Sequence, residues 1–302
     1  MNESIEQLNR IFGVEDRVVF REGTGGLPVA VLSNTAASAE VCLQGAHVTS
    51  FRPRGQEETL WVSELAEYRS GKAIRGGIPV CWPWFGPRLD NALLPQHGFA
   101  RVSAWSVLSS GAQGDERCEL CLTLRNDDST RLLWPHSFEL ELRVTVGVTL
   151  GVELRTVNTG DAVFRVGGAL HSYFRVGDIG RIEIGGLDGR DYLDQLDGHR
   201  RKRQTGAVSI SEEVDRVYVD SDDECVIKDP VLRRRIRVGK KGSGTTVVWN
   251  PWIEKSGRMG DFPDDGYREM VCVEAVNAFA DMHDVVPGER HVLSTSIRVQ
   301  TD

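Results

Sequence analysis

The stretch 138–157, FELELRVTVGVTLGVELRTV, decides the fold of this chain. Apolar side chains recur at every second position from Phe138 to Val146 and, with small breaks, from Val148 to Val157. Such alternation places the apolar side chains on one face of a half-buried β-strand. The stretch therefore predicts two long antiparallel strands joined as a hairpin around Gly147.

Similar runs lie on both sides of this hairpin, each bounded by turn-forming residues. They span 18–21, 29–32, 40–43, 118–124, 163–170, 181–184, 216–219, 224–228, 232–238, 245–249, 271–276 and 291–299. No GxxxxGK[ST] or GxGxxG motif accompanies them, so a nucleotide fold is not indicated. The pattern predicts an all-β fold, a large antiparallel β-sandwich.

Helical signals are few. One short amphipathic helix is expected over 3–12, and another after Asn250 and Pro251, which resemble an N-cap followed by proline at the first helical position. The apolar side of the first helix is predicted to carry Ile5, Leu8, Ile11 and Phe12.

Composition narrows the class of protein. The chain has 302 residues and a net charge of −8, which argues against a general binder of nucleic acid or anionic membranes. We find no apolar run of membrane-spanning length and no secretory signal at the N-terminus. Six cysteines are too few for a disulfide scaffold, so a cytoplasmic protein is expected. Two strand-rich halves are possible, but without a linker or repeat we expect a single domain, 1–302.

Three short motifs carry little weight. Cys118 and Cys121 are three apart in a predicted strand, where their side chains face opposite sides and chelate a metal poorly. The basic run 200–203 is predicted to lie in a polar loop, and the run 233–235 to alternate into a strand. We interpret both runs as solvated faces.

The segment 71–101 is dense in glycine, proline, tryptophan and arginine, which suits the rigid wall of a binding cleft. Arg75 and Arg101 lie within apolar runs, where a charged group needs an anionic partner, so we favour a ligand role for both. For Trp82 and Trp84 we favour the core, with stacking against a sugar as the alternative.

Two apolar strands each contain one isolated titratable residue, His171 in VGGALHSYF and Glu274 in MVCVEA. A lone strand histidine is usually a satisfied core residue, but a buried unpaired glutamate is rare because its charge is costly. Together the two residues indicate an acid and a base in one cleft. Asp215, where another strand begins, is a third candidate.

Several motifs resemble the hexose-6-phosphate mutarotases, the glucose-6-phosphate 1-epimerases of the aldose 1-epimerase superfamily. The resemblance covers nearly the whole chain, in family order. It rests on RGGIP at 75–79, PWFG at 83–86, PQHGFAR at 95–101, HSYF at 171–174, EVDRVY at 213–218, VWNPW at 248–252 and VCVEA at 271–275.

The resemblance implies a β-supersandwich and interconversion of α and β anomers of a hexose 6-phosphate without a metal or other cofactor. It implies His171 as general acid and Glu274 as general base. The substrate-binding positions that it implies are Arg75, Gln96, His97, Arg101 and Asp215.

The phosphate is expected on Arg75 and Arg101, because guanidinium groups match phosphate oxygens and would make the cleft basic against the overall charge. Lys72 and Arg88 are weaker candidates at the rim. The expected partner is a small sugar phosphate, with no nucleic acid and no membrane, and the chain is expected to be a monomer.

Three other functions stay open. The chain could be a mutarotase of unphosphorylated aldoses, although the arginines argue against this reading. A non-catalytic carbohydrate-binding sandwich would explain the tryptophans but not the isolated histidine and glutamate. A glycoside hydrolase or lyase would need paired carboxylates, for which Glu274 and Asp215 could be mistaken.

Overall fold

A computed structural model describes residues 3–88, 91 and 93–301. Its helices are α1 (Ile5–Phe12), α2 (Asp128–Leu133) and α3 (Trp252–Ser256). Its strands are β1 (Val18–Glu22), β2 (Pro28–Ser33), β3 (Ala37–Cys42), β4 (His47–Pro53), β5 (Val80–Cys81), β6 (Ser106–Gln113), β7 (Arg117–Arg125), β8 (Phe138–Val146), β9 (Thr149–Asn158), β10 (Phe164–Val166), β11 (Gly168–Leu170), β12 (Tyr173–Arg175), β13 (Glu183–Gly185), β14 (Asp191–Asp194), β15 (Arg200–Arg203), β16 (Val214–Tyr218), β17 (Cys225–Asp229), β18 (Arg234–Lys241), β19 (Thr245–Asn250), β20 (Met270–Asn277), β21 (His283–Val285) and β22 (Arg290–Thr301).

The strands form two eight-stranded sheets, one four-stranded sheet and one two-stranded ribbon, with antiparallel pairing between neighbouring strands. The long sheet has the order β13-β17-β18-β22-β9-β8-β7-β6. The site sheet has the order β15-β14-β16-β19-β20-β11-β5, and β12 also pairs with β20. The N-terminal sheet is β1-β2-β3-β4, and β10 pairs with β21. This is the predicted all-β sandwich.

The hairpin predicted over 138–157 is formed by β8 and β9, with Phe138 opposite Asn158 and Thr145 opposite Gly151. Every second side chain of β8 is buried, as the alternation requires. Strands β11 and β20 of the site sheet pack against β22 of the long sheet, and β2 and β3 pack against β7 and β8. The apolar faces of these layers share one core, which extends from Leu8 to Val299.

The helices differ in part from the predictions. The side chain of Ser4 caps α1 and Gln7 completes a capping box, but Ile11 is exposed, so the predicted apolar side was wrong there. Helix α2 was not predicted. The third helix begins one residue later than expected, because Pro251 is its N-cap and the Asn250 side chain accepts from the Trp252 amide.

The basic run 200–203 is strand β15, not the predicted polar loop. It lacks apolar alternation because its side chains pair instead with carboxylates. Asp191 accepts from Arg201 and Arg203, and Lys202 bonds Asp194 at 2.7 Å. Strands with few apolar positions, such as β14 and β15, therefore cannot be predicted from the alternation of apolar residues.

Within the part of the chain that the structure describes, no helix has the length and apolar character of a membrane span.

Candidate active site

His171 and Glu274 lie opposite each other on neighbouring strands. Strand β20 pairs with β11 up to Leu170 opposite Ala275, and with β12 from Tyr173 opposite Cys272. The same register, continued across the break between β11 and β12, places His171 opposite Glu274. Directly opposed residues of an antiparallel pair project to the same face, so both side chains enter the same space.

The two side chains approach closely in a buried setting. His171 Nδ1 lies 3.4 Å from Glu274 Oε1, and the residues are 8% and 1% exposed. Neither carboxyl oxygen of Glu274, nor His171 Nδ1, has a hydrogen-bond partner among the described residues. Buried polar groups are normally satisfied, so this pair is positioned to receive polar groups from a ligand.

Burial shifts the pKa values of the pair in opposite directions. It raises the pKa of Glu274 well above its usual value, and the nearby Asp215 carboxylate adds to this shift. Burial, with the positive charges of Arg101 and Arg75 nearby, lowers the pKa of His171 well below its usual value. Burial thus disfavours the charged form of each group, the carboxylate of Glu274 and the imidazolium of His171.

A cleft of about 290 Å³ opens above this pair. It is lined by six of the seven predicted site residues and by six others. The predicted ones are Arg75, Gln96, His97, His171, Asp215 and Glu274; the others are Phe85, Tyr173, Val247, Trp249, Lys255 and Met259.

His97 is held in a defined tautomer. Its Nδ1 accepts from the Gly86 amide at 3.2 Å, and its own amide donates to the Gly86 carbonyl at 2.8 Å. Burial, with the charges of Arg101 and Arg75, lowers its pKa to about 3. The neutral ring therefore carries its proton on Nε2, which is the nitrogen left to donate to a ligand.

Arg75 lies at one side of the cleft with two protein partners. Its guanidinium bonds the Asp261 carboxylate at 3.1 Å and donates to the Tyr173 hydroxyl at 3.2 Å. A guanidinium has five N–H donors. Arg75 therefore keeps donors for an anion, although Asp261 already balances its charge.

Arg101 is not among the residues that line the cleft. It donates to the Gln96 carbonyl at 2.8 Å and so supports the turn that carries Gln96 and His97. The two weaker phosphate candidates, Lys72 and Arg88, are also absent from the lining. The structure thus gathers the predicted site residues except Arg101.

Asp215 and Lys255 face each other across the cleft. Lys255 Nζ lies 3.9 Å from Asp215 Oδ2 and donates to Glu213 at 2.9 Å. Burial raises the pKa of Asp215 to about 6, although the Lys255 charge opposes this shift. Asp215 can therefore change its charge in the range where sugar enzymes usually work.

The aromatic side chains that line the cleft do not include Trp82 or Trp84. Trp82 and Trp84 are buried against Phe99, so the core interpretation was right. The cleft is lined instead by Trp249 and by Tyr173, whose ring stacks on His171 at 4.8 Å.

The sequence contained a signal for these two aromatics. Tyr173 is two residues after His171 and therefore on the same strand face. Trp249 belongs to a quoted family motif, but its role was not inferred. Lys255 and Asp261 had no such signal, because their positions depend on how α3 and the loop after it fold over the sheet.

The paired glycines 76 and 77 do allow a close approach, as expected. A Cβ at Gly76 would lie 2.4 Å from the Trp61 carbonyl oxygen, and one at Gly77 2.3 Å from that of Val48. The partner in both cases is the protein backbone, so these glycines bring Arg75 close to the sheet.

One set of side chains has donors suited to a metal ion. His171, Cys272 and Glu274 offer ligand atoms within 4.8 Å of one another. They include both members of the buried His171–Glu274 pair.

Comparison with known proteins agrees with this fold. The aldose 1-epimerase family matches residues 28–298. A protein of Escherichia coli K12 named "Putative glucose-6-phosphate 1-epimerase" is 39% identical over 93% of this chain and 94% of its own length. A protein of Cenchrus ciliaris with the same name is 38% identical over 78% and 74%. The crystal structure titled "putative mutarotase (YeaD)" from Salmonella typhimurium superposes with a TM-score of 0.90, at 36% identity and over 97% and 96% of the two chains.

The chain belongs to the aldose 1-epimerase family. It is an isomerase with the galactose-mutarotase-like β-sandwich.

Proposed function

We propose that this protein interconverts the α and β anomers of a hexose 6-phosphate, glucose 6-phosphate above all. The observation that carries the proposal is the buried His171–Glu274 pair, 3.4 Å apart and without other polar partners, at the floor of a sugar-sized cleft. A non-catalytic binding sandwich would have no use for a buried carboxyl group left without a hydrogen bond.

The proposed reaction needs one acid and one base. Glu274 takes the proton of the C1 hydroxyl while His171 gives a proton to the ring oxygen. The bond between C1 and the ring oxygen breaks as the C1 carbonyl forms. After rotation about C1–C2, the C5 hydroxyl attacks the other face of the carbonyl. Glu274 then returns its proton to the carbonyl oxygen, and His171 recovers its proton from the attacking hydroxyl.

The proton count of the pair fits this cycle. With the closed sugar, His171 is protonated and Glu274 ionised; with the open sugar, His171 is neutral and Glu274 protonated. Both states hold one proton. Burial alone favours the uncharged form of each group, whereas the negative phosphate and hydroxyl groups that donate to the carboxylate favour protonated His171 with ionised Glu274.

The remaining lining residues would hold the sugar. The His97 Nε2–H donates to a ring or hydroxyl oxygen, and Asp215 accepts from hydroxyl groups. Gln96 is exposed at the rim and can contact either anomer. Trp249 and Tyr173 provide flat apolar walls for the sugar faces.

For the phosphate we propose Arg75 as the main contact and Lys255 as a second positive charge. Both line the cleft, and the relatives named as glucose-6-phosphate 1-epimerases support a phosphorylated substrate. For Arg101 we now propose an indirect role, holding the Gln96–His97 turn through its bond to the Gln96 carbonyl.

Unphosphorylated aldoses are the second candidate substrates. The observation in their favour is the Asp261 carboxylate, which already balances the charge of Arg75. Comparing anomer exchange of glucose with that of glucose 6-phosphate separates the two candidates.

The direct test is NMR exchange spectroscopy on several hexose 6-phosphates with His171→Asn and Glu274→Gln. Each change removes one proton-transfer group, and we expect exchange to slow about 10²–10⁴-fold. His199→Asn and Glu254→Gln are matched controls, because both residues are exposed and lie outside the cleft lining. A near-normal rate in either site variant would refute the assignment.

We also propose that the protein is a cytoplasmic monomer that binds neither nucleic acid nor membranes. Six free, buried cysteines suit a reducing compartment, and the net charge of −8 disfavours polyanions. Light scattering coupled to size-exclusion chromatography measures the oligomeric state.

A further inference from the structure

A third potential ligand lies fully buried beside the His171–Glu274 pair. Cys272 is two residues before Glu274 on β20, so both side chains project to the same face of the sheet. Its thiol lies within 4.8 Å of ligand atoms of both Glu274 and His171. Cys272 has no part in the reaction proposed above.

We propose that His171, Cys272 and Glu274 form an inhibitory site for a thiolate-preferring divalent cation, zinc above all. Zinc favours a nitrogen, sulfur and oxygen donor set of this kind. The three residues lie on two adjacent strands of one sheet, which fixes their relative positions.

The spacing of the donors fits a tetrahedral ion. At zinc–ligand lengths of about 2.0–2.2 Å, a nitrogen and an oxygen on one ion are about 3.4 Å apart. His171 Nδ1 and Glu274 Oε1 are already separated by 3.4 Å. The Cys272 thiol, within 4.8 Å of the other two ligand atoms, would complete the set after a side-chain adjustment, and a water molecule would take the fourth position.

The polar atoms that would bind the ion are unoccupied by other protein groups. His171 Nδ1 and both Glu274 oxygens are buried and without hydrogen-bond partners. An ion would therefore displace no protein hydrogen bond at these atoms, whereas most buried polar atoms are already engaged.

The charge balance also favours binding. The ion takes a thiolate from Cys272, a carboxylate from Glu274 and a neutral imidazole from His171. The protons that these three groups carry are released to solvent when the ion binds. Two anionic ligands balance the two charges of the ion, so the occupied site is neutral overall, which avoids the cost of a net buried charge.

Occupation of this site would stop anomer exchange, because the ion holds the acid and the base together. This consequence, unlike binding itself, rests on the proposed function. Magnesium and calcium prefer all-oxygen sites, so neither should inhibit at concentrations where zinc does.

Cobalt(II) and zinc binding to the whole chain, stripped with EDTA and kept reduced, test the proposal. We expect one zinc ion per chain by equilibrium dialysis and a near-ultraviolet thiolate-to-cobalt band. Cys272→Ala should remove the band and weaken zinc binding at least tenfold. Cys81→Ala is the matched control, because Cys81 is a fully buried thiol of the same sheet that is not in the group.

Inhibition is measured for each variant as the rate with zinc divided by its own rate with EDTA. Zinc should inhibit the wild type and Cys81→Ala and affect Cys272→Ala at least tenfold less. If Cys272→Ala does not fold, Cys272→Ser replaces it. A cobalt band that survives loss of Cys272, or no band in the wild type, overturns the site. An enzyme without anomer exchange that still shows the Cys272-dependent band would overturn the proposed function and leave the metal site standing.

Discussion

At the scale of single residues, His171 and Glu274 meet as a buried pair, 3.4 Å apart, in one cleft. Both were candidates from the sequence because each is a lone titratable group in an apolar strand. Their register could not be predicted, since it depends on the break between β11 and β12. The position of Arg101 outside the cleft lining could not be predicted for a similar reason, because sequence proximity to Gln96 and His97 does not say which side of a turn a side chain takes.

Asp215 should control the acid side of the pH profile. Its pKa is raised to about 6, so the carboxylate that accepts sugar hydroxyls is lost as the pH falls through that value. We expect KM to rise below about pH 6 in the wild type. In Asp215→Asn, KM should be higher throughout, with this rise missing.

The measurement is kcat/KM from pH 5 to pH 8, with glucose as well as glucose 6-phosphate, because the phosphate itself titrates near pH 6.

The raised pKa of Asp215 also predicts an effect of pH on the stability of the protein. A raised pKa contributes stability that is present below the ordinary value and is lost as the pH rises through the folded value. Asp215→Asn should therefore gain stability relative to the wild type at pH 8 but not at pH 3. If the pH profile of kcat/KM in Asp215→Asn is identical to that of the wild type, Asp215 has no role in binding the sugar.

Arg75 should matter for the phosphate more than for the sugar. Arg75→Ala removes the guanidinium but leaves the acid/base pair, so we expect kcat/KM for glucose 6-phosphate to fall at least tenfold more than for glucose. Exposed Arg52→Ala is the control for overall charge. Equal losses on the two sugars would assign Arg75 to the sugar itself or to positioning of Tyr173.

At the scale of elements, the apolar alternation in the sequence and the observed strands agree where one face of a strand is buried and the other faces solvent. Strands β8 and β9 followed from alternation alone. Strand β5, with two residues, is too short to show a period, and β15 is polar on both faces. The 95–98 turn, which carries His97, could be recognised as irregular but not placed, because its conformation is set by contacts with Trp82 and Gly86.

Gly98 should be required for this turn. Its φ of +71° is one that L-residues rarely adopt, and a Cβ there would lie 1.9 Å from the Trp82 carbonyl oxygen. Gly98→Ala should lower the free energy of unfolding by about 3 kcal/mol or more and reduce kcat by displacing His97.

Gly55→Ala is the matched control, because its φ is +72° but a Cβ there meets nothing within 4 Å. It should cost only about 1 kcal/mol and leave the rate unaffected. Urea unfolding and exchange rates measure both variants. Equal costs in the two variants would show that the contact with Trp82 is unimportant.

At the scale of the whole molecule, length and composition limited the possible classes of protein but did not locate the site. Because the chain has a net charge of −8, binding of the proposed sugar phosphate depends on local positive groups, here Arg75 and Lys255, which both line the cleft. The net charge and composition of the whole chain could not reveal this local concentration of positive charge, because it arises only when α3 and the segment after β4 meet over the site sheet.

We propose that the chain is a single cooperative domain. Its buried apolar residues form one core from Leu8 to Val299 that connects the three larger sheets. We expect one calorimetric transition whose van't Hoff and calorimetric enthalpies agree. Two resolved transitions, or an enthalpy ratio well away from unity, would favour two strand-rich halves.

The break between β11 and β12 has a consequence for how such enzymes can diversify. His171 and Glu274 are fixed by the backbone of the site sheet, whereas Gln96 and Lys255 extend from a turn and a short helix outside its strands. Under the proposed function, changes in that turn and helix would alter which sugar enters without moving the proton-transfer groups. Chemistry and selectivity would then be inherited on separate parts of the chain, and a new substrate could be acquired while the old reaction is kept.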